Sequence, residues 1–187
     1  MSLVSDLVDA YAAHLRLPWR TNLSPAERVW MLVYPPTEER RVRARLDQLA
    51  LVTQQAGHAW VQVDITDVVG TWLAHHEYAE AFVADPSDLT SALLDDLDET
   101  VAARVRAALT APAVDPQTVV AVVGTGSLFP FVRASRLVEA VDDDVRGRLL
   151  VLFPGRHEST THSYRLLDAR DGFNYRAVAI TATKDLP

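Results

Sequence analysis

Thr118-Val119-Val120-Ala121-Val122-Val123-Gly124-Thr125-Gly126-Ser127-Leu128-Phe129-Pro130-Phe131-Val132-Arg133 is the stretch that decides the fold class. Its first six residues are Val-rich, unbroken by charge and closed by glycine, which is the pattern of a strand buried on both faces. Gly124 to Ser127 reads as a tight turn, and Leu137, Val138 and Val141 mark a helix after it. A buried strand running through a glycine turn into a helix belongs to an α/β sheet. The carboxyl edge of such a sheet is where crevices form.

Working outward, Val29-Trp30-Met31-Leu32-Val33-Tyr34 is a second unbroken apolar run, ended by Pro35-Pro36. Trp60-Val61-Gln62-Val63-Asp64-Ile65 and Leu149-Leu150-Val151-Leu152-Phe153 add two more strands, and Tyr175 to Ile180 gives a fifth with partial alternation. Between them the period lengthens. Val42, Leu46, Leu49 and either Val52 or Thr53 predict a helix that starts near Pro36-Thr37-Glu38-Glu39 and stops at Gly57. Thr66-Asp67 opens a short helix with Val68, Val69, Trp72 and Leu73. Asp85-Pro86-Ser87-Asp88 opens the longest one, with Leu89, Leu93, Leu94, Leu97, Val101, Val105 and Leu109 on one face. Tyr164, Leu166 and Leu167 read as a short helix or turn after a polar loop, His157 to His162.

Strands alternating with helices predict a three-layer α/β sandwich: about five mainly parallel strands, helices on both faces, P-loop- or Rossmann-like in layout. One strand order compatible with this places the first and third strands together at a switch point. Tyr34-Pro35-Pro36, Gly124 to Ser127 and Pro154-Gly155-Arg156 would then share one rim. At 187 residues, 49% of them apolar, the chain is expected to form a single domain over 1–187. An N-terminal helix over 2–17, striped by Leu3, Val4, Leu7, Val8, Tyr11 and Leu15, either packs on that domain or serves as a docking helix.

Composition excludes several classes. With no cysteine there is no disulfide scaffold and no thiolate metal site. No apolar run reaches membrane-spanning length, and Met1 to Asp6 lacks the basic start of a signal peptide, so a cytoplasmic location is expected. Residues 57–117 carry 2 basic and 11 acidic side chains, a balance that repels phosphate backbones and disfavours direct nucleic-acid binding. Against it stand Arg40, Arg41, Arg43 and Arg45 on one predicted helix, either a solvated face or a partner surface.

Enzymatic motifs fall short. Lys184 is the only lysine, so Gly124 to Ser127 lacks the lysine of an ATP-binding phosphate loop. Phe129 stands where the third glycine of a dinucleotide fingerprint belongs and also where a nucleophile elbow closes on glycine. An anion nest at this turn, charged by Arg133, Arg136 and Arg156, competes with a plain tight turn anchored by Phe129 and Phe131. His76 and Glu80 would share a helix face, but no second motif completes a ligand set. Asp142-Asp143-Asp144 reads as a solvated loop. No catalytic residue, metal or cofactor is expected.

In order, Val33-Tyr34-Pro35, Glu39-Arg40-Arg41-Val42 with Leu46-Asp47, Val63-Asp64, Val123 to Arg133, Leu152-Phe153-Pro154-Gly155 and Tyr175-Arg176 resemble the BrxB domain family of bacteriophage-exclusion (BREX) systems. The glycine-to-arginine segment is the distinctive part, and Arg156-His157-Glu158 departs from the aromatic residue expected after the glycine. The resemblance implies a non-catalytic accessory subunit of an antiphage system that also encodes an ATPase, a DNA methyltransferase and a PglZ-like protein. Its partners would be those proteins, the PglZ-like one foremost. The rim residues Gly124, Thr125, Gly126, Ser127, Phe129, Arg133, Gly155 and Arg156 would form the ligand- or partner-facing edge. The alternative is a nucleotide or phosphate sensor, or an enzyme, using the Gly124–Ser127 turn.

Overall fold

In a computed structural model, which describes residues 2–85, 89–167 and 173–182, five parallel strands form the central sheet. They are β1 (Val29–Tyr34), β2 (Ala59–Asp64), β3 (Thr118–Val123), β4 (Arg148–Glu158) and, after two short strands, β7 (Val178–Thr181), in the order β2-β3-β4-β1-β7. β5 (Ser163–Leu166) pairs antiparallel with the far end of β4, and β6 (Phe173–Asn174) with β5. The helices are α1 (Leu3–Leu15), α2 (Glu39–Arg43), α3 (Leu46–Gln55), α4 (Val68–His75), α5 (Ala79–Ala84), α6 (Ser91–Leu109) and α7 (Ala134–Val141).

Side-chain alternation splits the sheet's apolar residues between two cores. Val29, Met31, Val33, Val120, Val122, Leu149, Val151 and Phe153 meet Leu97, Val101 and Val105 of α6 and Leu137, Val138 and Val141 of α7. Trp30, Leu32, Val119, Ala121, Val123, Leu150 and Leu152 face the other way, onto Val4, Leu7, Val8 and Tyr11 of α1 and Val42 and Leu49 of α2 and α3. The connections explain the layers. From β1 the chain travels across the sheet to β2, whereas β2, β3 and β4 all connect back in the opposite sense. Right-handed crossovers in opposite senses put their helices on opposite faces.

The three-layer expectation holds. The trial order does not: β4 lies between β1 and β3. β4 is buried from Arg148 to Gly155, and such a strand needs paired neighbours on both sides. Other readings are also corrected. The helix expected over 36–57 breaks at Ala44-Arg45, where no side chain caps the second piece. Tyr164 and Leu166 are the buried alternates of a strand, not a helix or turn. The last strand of the sheet begins at Val178 rather than Tyr175. The longest helix starts at Ser91; Pro86, Ser87 and Asp88 lie outside the described residues. His76 ends α4 in an extended conformation while Glu80 lies in α5, so they share no helix.

α1 packs on the sheet, with Val4, Leu7, Val8, Tyr11 and Leu15 buried. The Tyr11 hydroxyl and Thr53 Oγ1 are 2.7 Å apart, and Thr53 gives its own proton to the Leu49 carbonyl at 2.8 Å. Tyr11 is therefore the donor. Tyr11→Phe is expected to cost about 1 kcal/mol, the net value of one buried hydrogen bond. Urea denaturation checks it; an unchanged midpoint would mean that the bond does not tie α1 to α3.

Candidate functional site

The focal turn is built by close approach. Gly124 has φ of +93°, and a Cβ on it would run into the Thr66 hydroxyl and backbone nitrogen. Thr125 is buried and donates to the Leu152 carbonyl at 2.6 Å. Ser127 donates to the Gly124 carbonyl at 2.8 Å and reaches the Ile65 carbonyl at 3.3 Å. The Ser127 and Phe129 N–H groups point back to the carbonyls of Gly124 and Gly126, closing a short 3-10 turn over Thr125–Leu128. Both hydroxyls and two of the amides that an anion nest would use are thus engaged within the fold. Phe131 packs on the core, but Phe129 does not anchor the turn: it is 45% exposed.

Beside the turn lies a polar network assembled from β1, α2, the end of β2 and the loop that follows it. Tyr34, the last residue of β1, donates to Glu39 at 2.6 Å. Arg43 of α2 binds Glu39 through Nε at 2.9 Å and Asp64, at the end of β2, through Nη1 at 3.2 Å. Its Nη2 donates to the Thr66 hydroxyl, and Asp64 accepts the Thr66 backbone N–H at 2.9 Å. Burial pushes the Tyr34 phenol well up, and the neighbouring Glu39 charge adds to it. Burial alone would raise the Asp64 carboxyl. The hydrogen bonds from Thr66 and Arg43, with the Arg43 charge, outweigh it and leave Asp64 below its ordinary range. Arg43 shifts upward for the matching reason: its bonds to Glu39 and Asp64 outweigh burial.

A depressed carboxyl stabilises the fold above its unfolded-state value of about 3.9 and loses that contribution as pH falls through the lower folded value. Arg43→Met should therefore cost about 1 kcal/mol at pH 7, a figure discounted for partial exposure of the pair. The difference from the native chain should narrow below about pH 4. Denaturant titrations at pH 7 and pH 3 measure this; a gap independent of pH would remove Asp64 from the account.

The four arginines expected to form one partner surface therefore divide. Arg43 is drawn inward to the network, Arg41 meets Glu38 at 3.2 Å, Arg45 meets Gln48 at 3.1 Å, and Arg40 is exposed. The rim arginines divide too. Arg136 is turned away from the turn, onto Asp95 at 3.0 Å and Asp98 at 2.7 Å of α6, so it supplies no charge there. Arg106 holds Glu99 and Asp144. Asp96 accepts from Trp72 Nε1 at 2.7 Å. The acidic stretch of α6 is largely answered inside the molecule. Asp142 also has a job, accepting the Tyr175 hydroxyl at 2.6 Å, which corrects the solvated-loop reading of the triple Asp. Arg133 and Arg156 are exposed and enter no ion pair among the described residues.

β1 and β4 are neighbours whose chains leave in opposite directions, so the switch point lies at their carboxyl ends. A cleft of about 310 Å³ opens there, lined by Tyr34, Pro35, Gly155, His157 and Thr181 among others; no residue of Gly124–Ser127 lines it. The expected rim is thus divided by β4 into a cleft on the β1 side and the glycine turn on the β2 side. Gly155 is required by the hairpin: a Cβ there would meet the Arg165 carbonyl. Among the described residues no group of His, Asp and Glu is placed to hold a metal, and no helix is long and apolar enough to cross a membrane.

Glu39, Asp64 and Thr66 were not expected as site residues. The signal was present in pieces, as separate short matches around Tyr34, Glu39, Asp64 and Gly124, and the fold brings all four together. No curated protein and no solved structure matches the chain. The family model described as "BREX protein BrxB" matches residues 61–180, which takes in Asp64, the whole glycine turn and the β4–β5 hairpin. That span is well over half of the sequence, and the chain accordingly belongs to the BrxB family of BREX phage-defence proteins.

Proposed function

We propose that this protein is a non-catalytic accessory and assembly subunit of a BREX system, acting in the cytoplasm. On this reading it binds other defence components, the PglZ-like protein foremost, in support of host-DNA modification and phage restriction. The observation that carries the reading is the makeup of the exposed end of the glycine turn. Phe129 projects with nearly half its surface in solvent, and Arg133 follows it without an ion pair among the described residues. Aromatic and arginine side chains exposed on one short segment are the residue types that most often anchor protein interfaces. The internal bonding of Thr125 and Ser127 supports a structural rather than a nucleophilic turn.

The test is co-expression with the ATPase, the methyltransferase and the PglZ-like protein of its own system, followed by size-exclusion chromatography. Co-elution with the PglZ-like protein is expected, weakened at least tenfold by the double variant Phe129→Ala, Arg133→Ala. Migration alone against every component would sink the proposal.

A further inference from the structure

At the amino-terminal edge of the sheet, opposite the glycine turn, a second cavity of about 340 Å³ is lined by His14, Trp19, Arg20, Glu27, Trp30 and Arg148, with Leu17, Pro18, Leu23 and Val178 as apolar walls. That volume sits at the low end of small-ligand pockets, roughly 300–1,000 Å³. Its chemistry is set by Arg148, the first residue of β4, which is only 4% exposed. The guanidinium carbon lies 4.2 Å from the centroid of the Trp19 ring and 5.6 Å from that of Trp30. Nη1 and Nη2 donate to the carbonyls of Gly147 and Arg20, at 2.9 and 2.8 Å. Nε has no partner, and no carboxylate pairs with this cation among the described residues.

A buried guanidinium normally faces a carboxylate, because an unpaired charge out of water is costly. Two indole faces and two carbonyls offset part of that cost but supply no counter-charge. The site is also rigid. Trp19 is held by its Nε1 on the Pro116 carbonyl at 2.9 Å and stacks on His58 with ring centroids 3.7 Å apart. His14 stands edge-on to Trp30, and burial with the nearby Arg148 charge holds it toward the neutral form. Glu27, at the mouth, is held by the backbone N–H and hydroxyl of Ser24 and feels the charge of Arg20, so those two offset each other. Arg28, which donates to the Val145 carbonyl at 2.9 Å, adds a second positive charge close enough to act on Arg148, so the positive charge at these apolar and aromatic walls is uncompensated.

We infer that this cavity binds a monoanionic carboxylate carried on a small apolar or aromatic body, with Arg148 as its counter-ion and Trp19 and Trp30 as its walls. A phosphate dianion would set oxygens on every side against the apolar and aromatic walls, which offer too few polar partners. The carboxylate has two sources with the same chemistry, a free organic acid or the α-carboxylate at the end of a partner chain.

The full chain is titrated with benzoate and, as the uncharged match, benzamide, following the indole N–H resonances of Trp19 and Trp30. Benzoate is expected to bind in the low millimolar range or better and benzamide at least about tenfold more weakly. Arg148→Met should abolish the difference without lowering the unfolding midpoint, since it removes a buried unpaired charge. Arg148→Lys, which keeps the charge without the fork, should weaken benzoate by about tenfold and covers the case in which the methionine variant does not fold. A second arm compares Ala-Ala-Leu with a free carboxylate against its amide. Tenfold tighter binding of the free peptide than of benzoate assigns the site to a chain terminus, and the reverse assigns it to a free acid. Equal binding of benzoate and benzamide, no binding of either, or undiminished benzoate binding in both Arg148 variants overturns the inference.

Discussion

Gly124→Ala is expected to lower stability by about 3 kcal/mol or more, while Gly126→Ala, two residues on in the same motif, costs under about 1 kcal/mol. The difference follows from what each missing side chain would touch. At Gly124 a left-handed backbone, φ +93°, carries a penalty of about 1–2 kcal/mol for any residue with a Cβ. The Cβ would also collide with Thr66, including backbone atoms that no rotamer change can move aside. At Gly126 φ is not positive, and the added carbon would stand 3.3 Å from Pro154 Cγ and 3.8 Å from Leu167 Cδ2, a squeeze that ring pucker can relieve. For a chain of this size 3 kcal/mol corresponds to a fall in Tm of about 10 °C. Thermal melts of the two variants decide it. Equal small shifts would mean that the turn does not rest on Thr66.

This contrast bears on why the turn resembles a phosphate loop without its lysine. In a phosphate cradle glycine leaves room for a ligand. Here Gly124 leaves room for Thr66, and through it the end of β3 is brought against the Asp64–Arg43–Glu39–Tyr34 network. The apolar runs of β1, β3 and β4 were legible because a strand buried on both faces needs no polar alternation. Val29 to Tyr34 and Thr118 to Val123 are buried at every position, as such runs predict. Strand order was not legible, since it depends on which strand needs two partners, and the length of β4 was hidden by Pro154, Gly155 and the polar residues after them. Four-residue β5 was too short for its alternation to stand out. The destinations of the arginines were the least readable. Arg43 and Arg136 look like exposed helix charges in the sequence, and only tertiary proximity sends one to Asp64 and the other to α6.

Gly155→Ala is expected to act locally where Gly124→Ala acts globally, at a cost of about 2–4 kcal/mol. Gly155 opens the antiparallel pairing of β4 with β5 and lies opposite Leu166. A Cβ there would meet the Arg165 carbonyl of the facing strand and come within 2.7 Å of Phe153 Cε1. A backbone obstacle cannot be relieved by a side-chain turn, so β5 must move away. That movement would uncover Tyr164 and Leu166, which are 1% and 6% exposed, and stretch the 2.8 Å bond from the Tyr164 hydroxyl to the Ala177 carbonyl. The parallel pairing of β1 with β4 ends at Pro154, short of Gly155, and the Phe153 ring can turn aside, so the parallel strands should hold. Hydrogen exchange should accordingly lose protection at Ser163–Leu166 while Val120 and Leu150 stay protected, and proteolysis should rise at the turn over 159–162. Arg156→Ala, on the exposed side of the same hairpin, is the control and should change stability by less than about 0.5 kcal/mol. Uniform loss of protection across all strands would show that the hairpin and the sheet unfold as one unit. Undiminished protection at Tyr164 would show that the hairpin accepts a Cβ after all. The expected result in between makes the hairpin a separable wall of the switch-point cleft, and so a handle for testing that cleft without unfolding the sheet.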